Sequence, residues 1–197
     1  MNELAHIREL QRRIALYEDM RAYEDMYKLL SPGLRRFSSA LVKSKESSEE
    51  IVSDVFIKLW EVRGRLEEIE NLKVYLYTIT KNFSLNYISK NFKNPVISLD
   101  EIDVGAVVFL NGPDEMCISA DMVRQLKAII QSLPPQCRLV FQLVKEEDMR
   151  YKEVAAVLNL SVFTVRNQLA IAIRKIGEAM PSYLLPQGII NDKFSRS

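Results

Sequence analysis

The chain has 197 residues, and its 27 Lys and Arg side chains against 26 Asp and Glu leave a formal net charge of +1. That length fits one large domain or two small ones, and 48% hydrophobic residues are enough for packed cores. Six glycines and seven prolines are too few for a turn-rich all-β chain or a disordered protein. The composition therefore favours an all-α fold, and the whole-chain charge, taken alone, argues against a nucleic-acid binder.

The cysteines and the N-terminal segment limit which cellular compartment and which kinds of site fit the chain. Cys117 and Cys137 form no CxxC pair and His6 is the one histidine, so neither a disulfide framework nor a metal site is indicated. Residues 1–20 lack the apolar core of a signal peptide, and charges interrupt every apolar run before the roughly 18 residues that a membrane span needs. We expect a cytoplasmic protein without direct membrane insertion and without a metal or other cofactor.

The first sixty residues carry helical patterns. Residues 10–42 have apolar side chains at helical spacing, interrupted at Ser31-Pro32-Gly33, which fits two or three amphipathic helices. The next helix has a broad apolar stripe within residues 51–60, and Ser47 and Glu50 match a capping box at its start.

The stretch from Asn71 to Leu99 contains no acidic residue. Its apolar spacing favours one long helix over a strand, and the positions that set this spacing are Leu72, Leu76, Ile79, Phe83 and Tyr87 or Ile88. Lysines alternate with aromatic residues here, namely Lys73, Tyr75, Tyr77, Lys81, Phe83, Tyr87, Lys90, Phe92 and Lys93. Lysines that pair with phosphates beside aromatic rings that stack on unpaired bases are typical of single-strand binding. Most of these aromatic residues also fit a buried core.

A change of composition divides the chain into two helical domains. Residues 91–120 contain turn-forming residues and five acids, which indicate a linker, and helical patterning returns at Asp121. Pro134-Pro135 fits the first turn of a further helix. The predicted organisation is a domain at 10–92, a linker at 93–120, a domain at 121–180 and a loosely ordered tail at 181–197.

Residues 151–176 have the pattern of a helix-turn-helix. The first helix ends at Asn159, which tolerates positive φ, and Ser161 can cap the second helix. Inward positions of that second helix share one stripe, formed by Val165, Leu169, Ala172 and Ile176. A purely structural helical hairpin fits the same spacing.

The opposite face of the second helix suits the major groove of DNA. Arginine bonds guanine through two hydrogen bonds, asparagine or glutamine bonds adenine in the same way, and phenylalanine contacts the thymine methyl group. The candidate DNA-reading residues are Ser161, Phe163, Thr164, Arg166, Asn167 and Gln168.

The acidic pairs of the chain do not suggest catalysis. Glu49 and Glu50, like Glu67 and Glu68, are adjacent in sequence and point in different directions on a helix, which is poor geometry for a catalytic dyad. We therefore predict no catalytic residues and no enzymatic activity.

Three motifs together give the chain a family resemblance. SSEEIVSDVFIKLWE resembles the polymerase-binding helix of the extracytoplasmic-function (ECF) sigma factors of bacterial RNA polymerase, in the sigma-70 family. NLKVYLYTITKNFSLNYIS resembles their promoter-melting and −10-reading segment, and residues 133–176 resemble their −35-binding helix-turn-helix. The resemblance covers roughly Ile14 to Ala179, and the SxxTVxxQL form of Ser161–Leu169 is similar to sigma factors of Bacteroidetes.

The resemblance implies a role for each motif. The outer face of the first motif would dock on core polymerase through Glu50, Asp54, Lys58 and Glu61. The loop from Arg63 to Asn71 would take up a flipped −10 base, and nearby side chains would hold the separated strand. The −10 residues implied are Arg63, Arg65, Asn71, Lys73, Tyr75, Lys81 and Asn82. The DNA-reading residues of the second helix would then contact the −35 element.

Of three functions that fit the sequence, we predict the first, and the other two are alternatives. The first is a sigma factor whose partners are core RNA polymerase, promoter DNA and an anti-sigma factor, the last implied only by the resemblance. The second is a helix-turn-helix regulator that binds duplex DNA without polymerase, and the third is a helical adaptor with no DNA role.

Overall fold

The residues described by the structure, a computed structural model, are 3–92 and 120–179, and within these ranges every regular element is helical. The chain divides into two units, Met1–Ile97 and Ser98–Ser197. The all-α, two-domain prediction is therefore confirmed. The predicted linker, apart from its last residue, and the predicted tail lie outside the described residues.

The first unit is a helical bundle around a central helix. Its elements are α1 (Glu3–Tyr17), α2 (Met20–Val42), α3 (Lys45–Glu61), a 3₁₀ turn (Arg63–Glu68) and α4 (Leu72–Phe92). Helix α2 packs against α1, α3 and α4, and α1 also packs against the 3₁₀ turn. The largest buried side chains between the helices are those of Phe37, Phe56 and Tyr77. Helix α1 buries Ile7 and so belongs to this bundle, although the predicted domain began at residue 10.

Helix α2 runs without a break through Ser31-Pro32-Gly33, where the sequence indicated an interruption. A proline inside a helix removes one backbone hydrogen bond and crowds the preceding turn. Leu30 and Leu34 are buried on either side of Pro32, whereas Pro32 itself is on the exposed side. The apolar packing of the flanking turns therefore maintains the helix across the proline.

Helix α3 begins earlier than the predicted capping box. Ser44 is the N-cap, and its hydroxyl accepts a hydrogen bond from the backbone N–H of Ser47 at 3.1 Å. Ser47 is itself buried inside the helix and donates from its hydroxyl to Tyr87 Oη at 2.8 Å. The capping-box prediction of Ser47 and Glu50 was thus wrong by one turn.

Helix α4 is the single long helix that the sequence predicted. Leu72, Leu76 and Ile88 are buried as predicted, but the middle of the buried face differs from the prediction. Thr80 and Ser84 are fully buried, while Ile79 and Phe83 are only half-buried. The Ser84 hydroxyl lies 3.0 Å from the hydroxyl of Ser38, and Thr80 donates to the carbonyl of Leu76 at 2.8 Å. These hydrogen bonds satisfy the small polar groups and allow α2 and α4 to approach closely.

The second unit contains the predicted helix-turn-helix. Its elements are α5 (Ala120–Ser132), α6 (Pro135–Phe141), a π-helical turn (Gln142–Glu146), α7 (Tyr151–Leu158) and α8 (Val162–Ala179). Pro135 lies in the first turn of α6, as predicted. Asn159 ends α7 in the left-handed region at φ 57°, and its backbone N–H bonds the carbonyl of Ala155. Helix α7 thus ends at Asn159 and helix α8 begins after Ser161, as the sequence indicated.

No single helix in residues 3–92 or 120–179 is long and apolar enough to cross a membrane. Helices α7 and α8 reach that length and apolar content only as a pair, with a bend of 104° between them. Their apolar side chains, such as Val157 and Leu169, are buried within the second unit.

Candidate functional site

Helix α8 presents a polar face with one large apolar side chain at its N-terminal end. Phe163 is 73% exposed, and Arg166 and Asn167 are exposed beside it. The opposite stripe of Val165, Leu169, Ala172 and Ile176 is completely buried, as predicted. An exposed ring, guanidinium and amide on one helical face can contact base edges in a groove.

The start of α8 is fixed by a cap. The Ser161 hydroxyl accepts from the backbone N–H of Thr164 at 2.9 Å and lies 2.8 Å from Thr164 Oγ1. The guanidinium of Arg166 lies 5.9 Å from the ring centre of Tyr151 on α7. The cap and the ring contact orient the turn that carries the exposed side chains.

Gln168 differs from the other candidate DNA-reading residues because its amide is bound within the protein. Its Nε2 donates to Oε1 of Gln136 at 2.8 Å, and its Oε1 accepts from the thiol of Cys137 at 2.7 Å. Burial raises the pKa of the Cys137 thiol, which keeps the thiol protonated as a donor. Gln168 therefore joins α8 to α6, a contact that sequence spacing did not reveal.

The outer face of α3 carries all four residues predicted for polymerase binding. Glu50, Asp54, Lys58 and Glu61 are exposed, and the Lys58 ammonium lies 2.9 Å from the Glu61 carboxylate. Ile57, which the sequence prediction missed, is 57% exposed among them. An isoleucine between charged positions 54, 58 and 61 was the available signal, since an interface commonly has an apolar centre and a polar rim.

The first turns of α2 line a surface groove. Its volume is about 360 Å³, and the lining residues are Met20, Arg21, Tyr23, Glu24 and Tyr27. The ring of Tyr23 packs edge-on against that of Trp60, with the centres 5.0 Å apart. Tyr23 also donates to the carbonyl of Phe56 at 2.8 Å, and burial raises the pKa of Tyr23. This aromatic cluster joins α2 to α3 and was not singled out from the sequence.

Three side chains of the loop Arg63–Asn71 make local contacts. Arg63 donates to the carbonyl of Trp60 at 3.1 Å, and its guanidinium lies 4.9 Å from the centre of the Trp60 ring. Arg65 is exposed and forms a 2.9 Å ion pair with Glu68. The Asn71 carboxamide accepts from the backbone N–H of Val74 at 3.1 Å and so caps α4.

The −10 candidates on α4 are not equally accessible. Asn82 is exposed, Tyr75 is half-buried, and Lys73 forms a 3.2 Å ion pair with Glu3. Lys81 is only 8% exposed, and burial lowers its pKa. The structure does not present Lys81 on the surface, in contrast to the expectation of a strand contact.

An exposed polar stripe on α4 was only partly anticipated. Asn82, Asn86 and Lys90 are all exposed and lie four residues apart, on successive turns of one face. The i, i+4 spacing of these three residues could have identified this face from the sequence.

Within residues 3–92 and 120–179 no cluster of three or more His, Cys, Asp or Glu side chains could hold a metal ion.

Two helical units, the second with an exposed helix for groove contacts, define a two-domain helix-turn-helix protein. Residues 26–93 match the family model for sigma-70 region 2, and residues 123–176 match that for sigma-70 region 4. Together the matches cover more than half of the chain, in the order that the motifs predicted. The chain therefore belongs to the sigma-70 family, and its curated relatives support the ECF sigma factors as its group.

Two of these relatives define the extent of the similarity. The ECF RNA polymerase sigma-E factor of Escherichia coli K12 is 25% identical over 127 residues, which are 61% of this chain and 66% of that protein. The probable RNA polymerase sigma factor RfaY of Xanthomonas campestris pv. campestris is 24% identical over 134 residues, 66% of this chain and 33% of that protein. The chain thus spans just under two thirds of the length of its E. coli relative.

Two solved structures share the fold. CnrH, in complex with the cytosolic domain of CnrY, has a TM-score of 0.57 at 18% identity, over 88% of this chain and 96% of that one. The sigma factor RpoE of Bartonella quintana, in complex with the anti-sigma factor NepR, has a TM-score of 0.58 at 20% identity, over 80% and 95%. At these identities the likeness concerns the fold.

Proposed function

We propose that this protein is a non-catalytic initiation subunit that binds core RNA polymerase, recognises −10 and −35 promoter elements and helps to open the promoter. The observation that carries the proposal is the presence of sigma-70 regions 2 and 4 on one chain, each folded with its candidate binding face exposed. A subunit with this role acts where the polymerase is, in the cytoplasm. The SxxTVxxQL form of α8 supports the narrower proposal of a Bacteroidetes-type sigma factor.

Core polymerase is proposed to bind the outer face of α3. Glu50, Asp54, Lys58 and Glu61 form its charged rim, and Ile57 is the exposed apolar centre. Desolvated apolar centres inside polar rims carry most of the binding free energy of protein interfaces. The charged rim then sets orientation and the rate of association.

The −10 strand is proposed to bind along the loop Arg63–Asn71 and the exposed face of α4. A base that leaves the stack costs a few kcal/mol, which stacking and phosphate contacts must offset. Arg65, Tyr75 and Asn82 are accessible enough to contribute, and Lys90 adds a cation on the same face as Asn82. Lys73 can contribute to the local positive charge, although it is paired with Glu3.

The −35 element is proposed to bind the N-terminal half of α8 in the major groove. Phe163, Arg166 and Asn167 are placed to contact bases. Ser161 and Thr164 orient the first turn through their capping hydrogen bonds and lie where a phosphate would approach. Gln168 fixes the helix to α6.

An anti-sigma factor is proposed as a further partner. Support comes from the two structural relatives, since CnrH is in complex with the cytosolic domain of CnrY and RpoE is in complex with the anti-sigma factor NepR. The exposed apolar residues of α2 and α3, such as Met20 and Ile57, are accessible surface for a protein partner.

The proposal is tested by reconstitution with the core RNA polymerase of the same bacterium. Core enzyme alone and core enzyme with the full chain are supplied with a library of genomic promoter fragments, and the 5′ ends of the transcripts are sequenced. We expect starts downstream of two shared elements only when the chain is present. Binding to duplex DNA without binding to core polymerase would indicate a conventional regulator. No salt-dependent DNA binding by the chain, and no effect of the chain on DNA binding by core polymerase, would indicate an adaptor.

A further inference from the structure

Helix α1 is bonded to the backbone of the loop Arg63–Asn71. Gln11 of α1 is 5% exposed, and its Nε2 donates to the carbonyls of Leu66 and Ile69, the second at 2.8 Å. Arg8, one turn earlier on α1, approaches the carbonyl of Glu70 at 3.4 Å. A single buried amide group therefore connects two points of the loop that are three residues apart.

Ion pairs join α1 and its C-terminal turn to both ends of the same loop. Glu18 pairs with Arg63 at 3.1 Å, and Glu3 pairs with Lys73 at 3.2 Å, two residues beyond the loop. Leu66, between them, is completely buried. The contacts with α1 thus run along the whole length of the loop.

The loop needs such external contacts because it has few of its own. A 3₁₀ turn has poorer hydrogen-bond geometry than an α-helix. At the end of this turn, the Leu66 carbonyl accepts one backbone hydrogen bond, from the N–H of Ile69 at 3.0 Å. Leu66 is the one residue of Arg63–Asn71 that is buried. Segments with few buried apolar contacts open most readily. The two hydrogen bonds from Gln11 to the carbonyls of Leu66 and Ile69 therefore restrict the loop to one conformation.

We infer that Gln11 is a positioning residue for −10 recognition, which holds the loop Arg63–Asn71 in the conformation that accepts the base. The inference rests on the proposed function, because the proposal assigns base capture to this loop. Gln11 lies outside residues 26–93, which match sigma-70 region 2. The specificity of the loop therefore depends on a helix that precedes the matched region. A preorganised loop binds the correct base without a further ordering cost, whereas a loosened loop loses discrimination between bases.

The test uses holoenzyme reconstituted from core polymerase and the full chain, with a promoter library randomised at the −10 element and a constant −35 element. Gln11→Met keeps the length of the side chain and removes both donors, and Gln11→Glu replaces the donating amide with an acceptor. Arg12→Met, on the exposed side of the same helix, is the matched control. Sequenced transcripts give the preference at each −10 position, while melting temperature and affinity for core polymerase are measured in parallel.

We expect Gln11→Met to reduce the preference at the most selective −10 position by about three- to tenfold, the effect of a lost hydrogen bond or two. Gln11→Glu should reduce it further, and Arg12→Met should leave it unchanged. Core affinity and the −35 preference should be the same in all four proteins. Arg8→Met, at an exposed position, should give a smaller loss and serves as the second variant if Gln11→Met does not fold.

Two outcomes overturn the inference. In the first, Gln11→Met keeps the −10 preference of the original chain; in the second, it weakens transcription from every library member in proportion to a lower melting temperature. A holoenzyme with the original chain that shows no −10 preference at all would instead refute the proposed function, and the inference with it.

Discussion

The thiol of Cys137 donates a hydrogen bond of 2.7 Å to Oε1 of Gln168, and so a residue of α6 orients a residue on the N-terminal half of α8. The same amide donates to Gln136, which leaves its oxygen and nitrogen both engaged with α6. Cys137 is 1% exposed, so its hydrogen bond is shielded from competition with water. Cys137 and Gln136 therefore join α6 to α8 through one side chain, that of Gln168.

The first prediction concerns this contact. Cys137→Ala leaves the oxygen of Gln168 without its buried donor, and we expect affinity for the −35 duplex to fall about two- to tenfold. Cys137→Ser restores a donor and should recover most of the affinity. Fluorescence anisotropy of holoenzyme on a labelled −35 duplex measures the effect. Equal affinities for the Ala and Ser variants would show that the hydrogen bond does not position α8.

The second prediction separates capping from DNA contact at Ser161. Ser161→Ala removes the acceptor for the backbone N–H of Thr164 and should destabilise the second unit by about 1 kcal/mol. Ser161→Asp also caps helices, so it should retain the stability. Its negative charge should nevertheless weaken binding to the −35 duplex, because the proposed docking of α8 brings a phosphate to this position.

Thermal unfolding and duplex affinity are measured on the same two Ser161 variants. The prediction requires that Ser161→Asp is more stable than Ser161→Ala and that it binds the duplex more weakly. If Ser161→Asp binds DNA as tightly as the original chain, this end of α8 does not approach a phosphate.

The sequence predicted some parts of this molecule and not others, for physical reasons. The end of α7 at Asn159 and the cap at Ser161 were predictable because local backbone preferences decide them. The middle of the buried face of α4 was not, because Thr80 and Ser84 are buried there through hydrogen bonds to the preceding turn of α4 and to Ser38 of α2. Hydrophobic periodicity weighs such residues as polar and therefore selects Ile79 and Phe83 instead.

The candidate site shows the same division. Exposure of Arg166 and Asn167 followed from the inward stripe of α8, since the period of a helix fixes which positions oppose each other. The hydrogen bond from Gln11 to Leu66 joins positions that are 55 residues apart, and the hydrogen bond from Cys137 to Gln168 joins positions that are 31 residues apart. No local sequence pattern encodes such pairings. Each of these two glutamines joins a candidate binding element to a neighbouring helix.

The third prediction tests the apolar centre of the α3 face. Ile57→Ser should weaken binding to core polymerase at least tenfold, because exposed apolar residues inside charged rims are typical hot spots. It should leave the melting temperature nearly unchanged, since Ile57 is 57% exposed in the free chain. Phe163→Ser, which removes a comparable exposed side chain from α8, is the control.

Each of the two variants should lower the affinity in a different assay. Ile57→Ser should lower core affinity, measured by surface plasmon resonance, and Phe163→Ser should lower affinity for the −35 duplex alone. Unchanged core affinity in Ile57→Ser would remove the α3 face from the proposed interface.

The fourth prediction compares two lysines of α4 in their effect on the salt dependence of promoter binding. Lys90 is exposed, whereas Lys81 is 8% exposed. If Lys90 contacts a phosphate of the separated strand, Lys90→Met should reduce the slope of log K against log salt by about 0.7. Lys81→Met should leave the slope unchanged. A smaller slope for Lys81→Met would mean that the side chain leaves the bundle when the promoter opens.

The last prediction concerns stability and pH at Lys81. Burial lowers the pKa of its ammonium from the ordinary value of 10.5, so the folded chain releases this proton at a pH where the unfolded chain still binds it. Between these two pKa values the free energy of unfolding rises with pH, because the unfolded state carries the extra proton. Lys81→Met has no such proton and should be more stable than the original chain at neutral pH, with a difference that narrows as the pH approaches 10.5.

Denaturant unfolding at several pH values from 7 to 10 measures this difference through the fluorescence of Trp60, the single tryptophan, which lies in the first unit. Tyrosine ionisation affects both proteins and cancels in the comparison. Lys90→Met is the control, because an exposed ammonium keeps a similar hydration in both states, and its difference from the original chain should stay constant. A constant difference for Lys81→Met as well would show that the Lys81 ammonium reaches water in the folded chain and remains available to a phosphate.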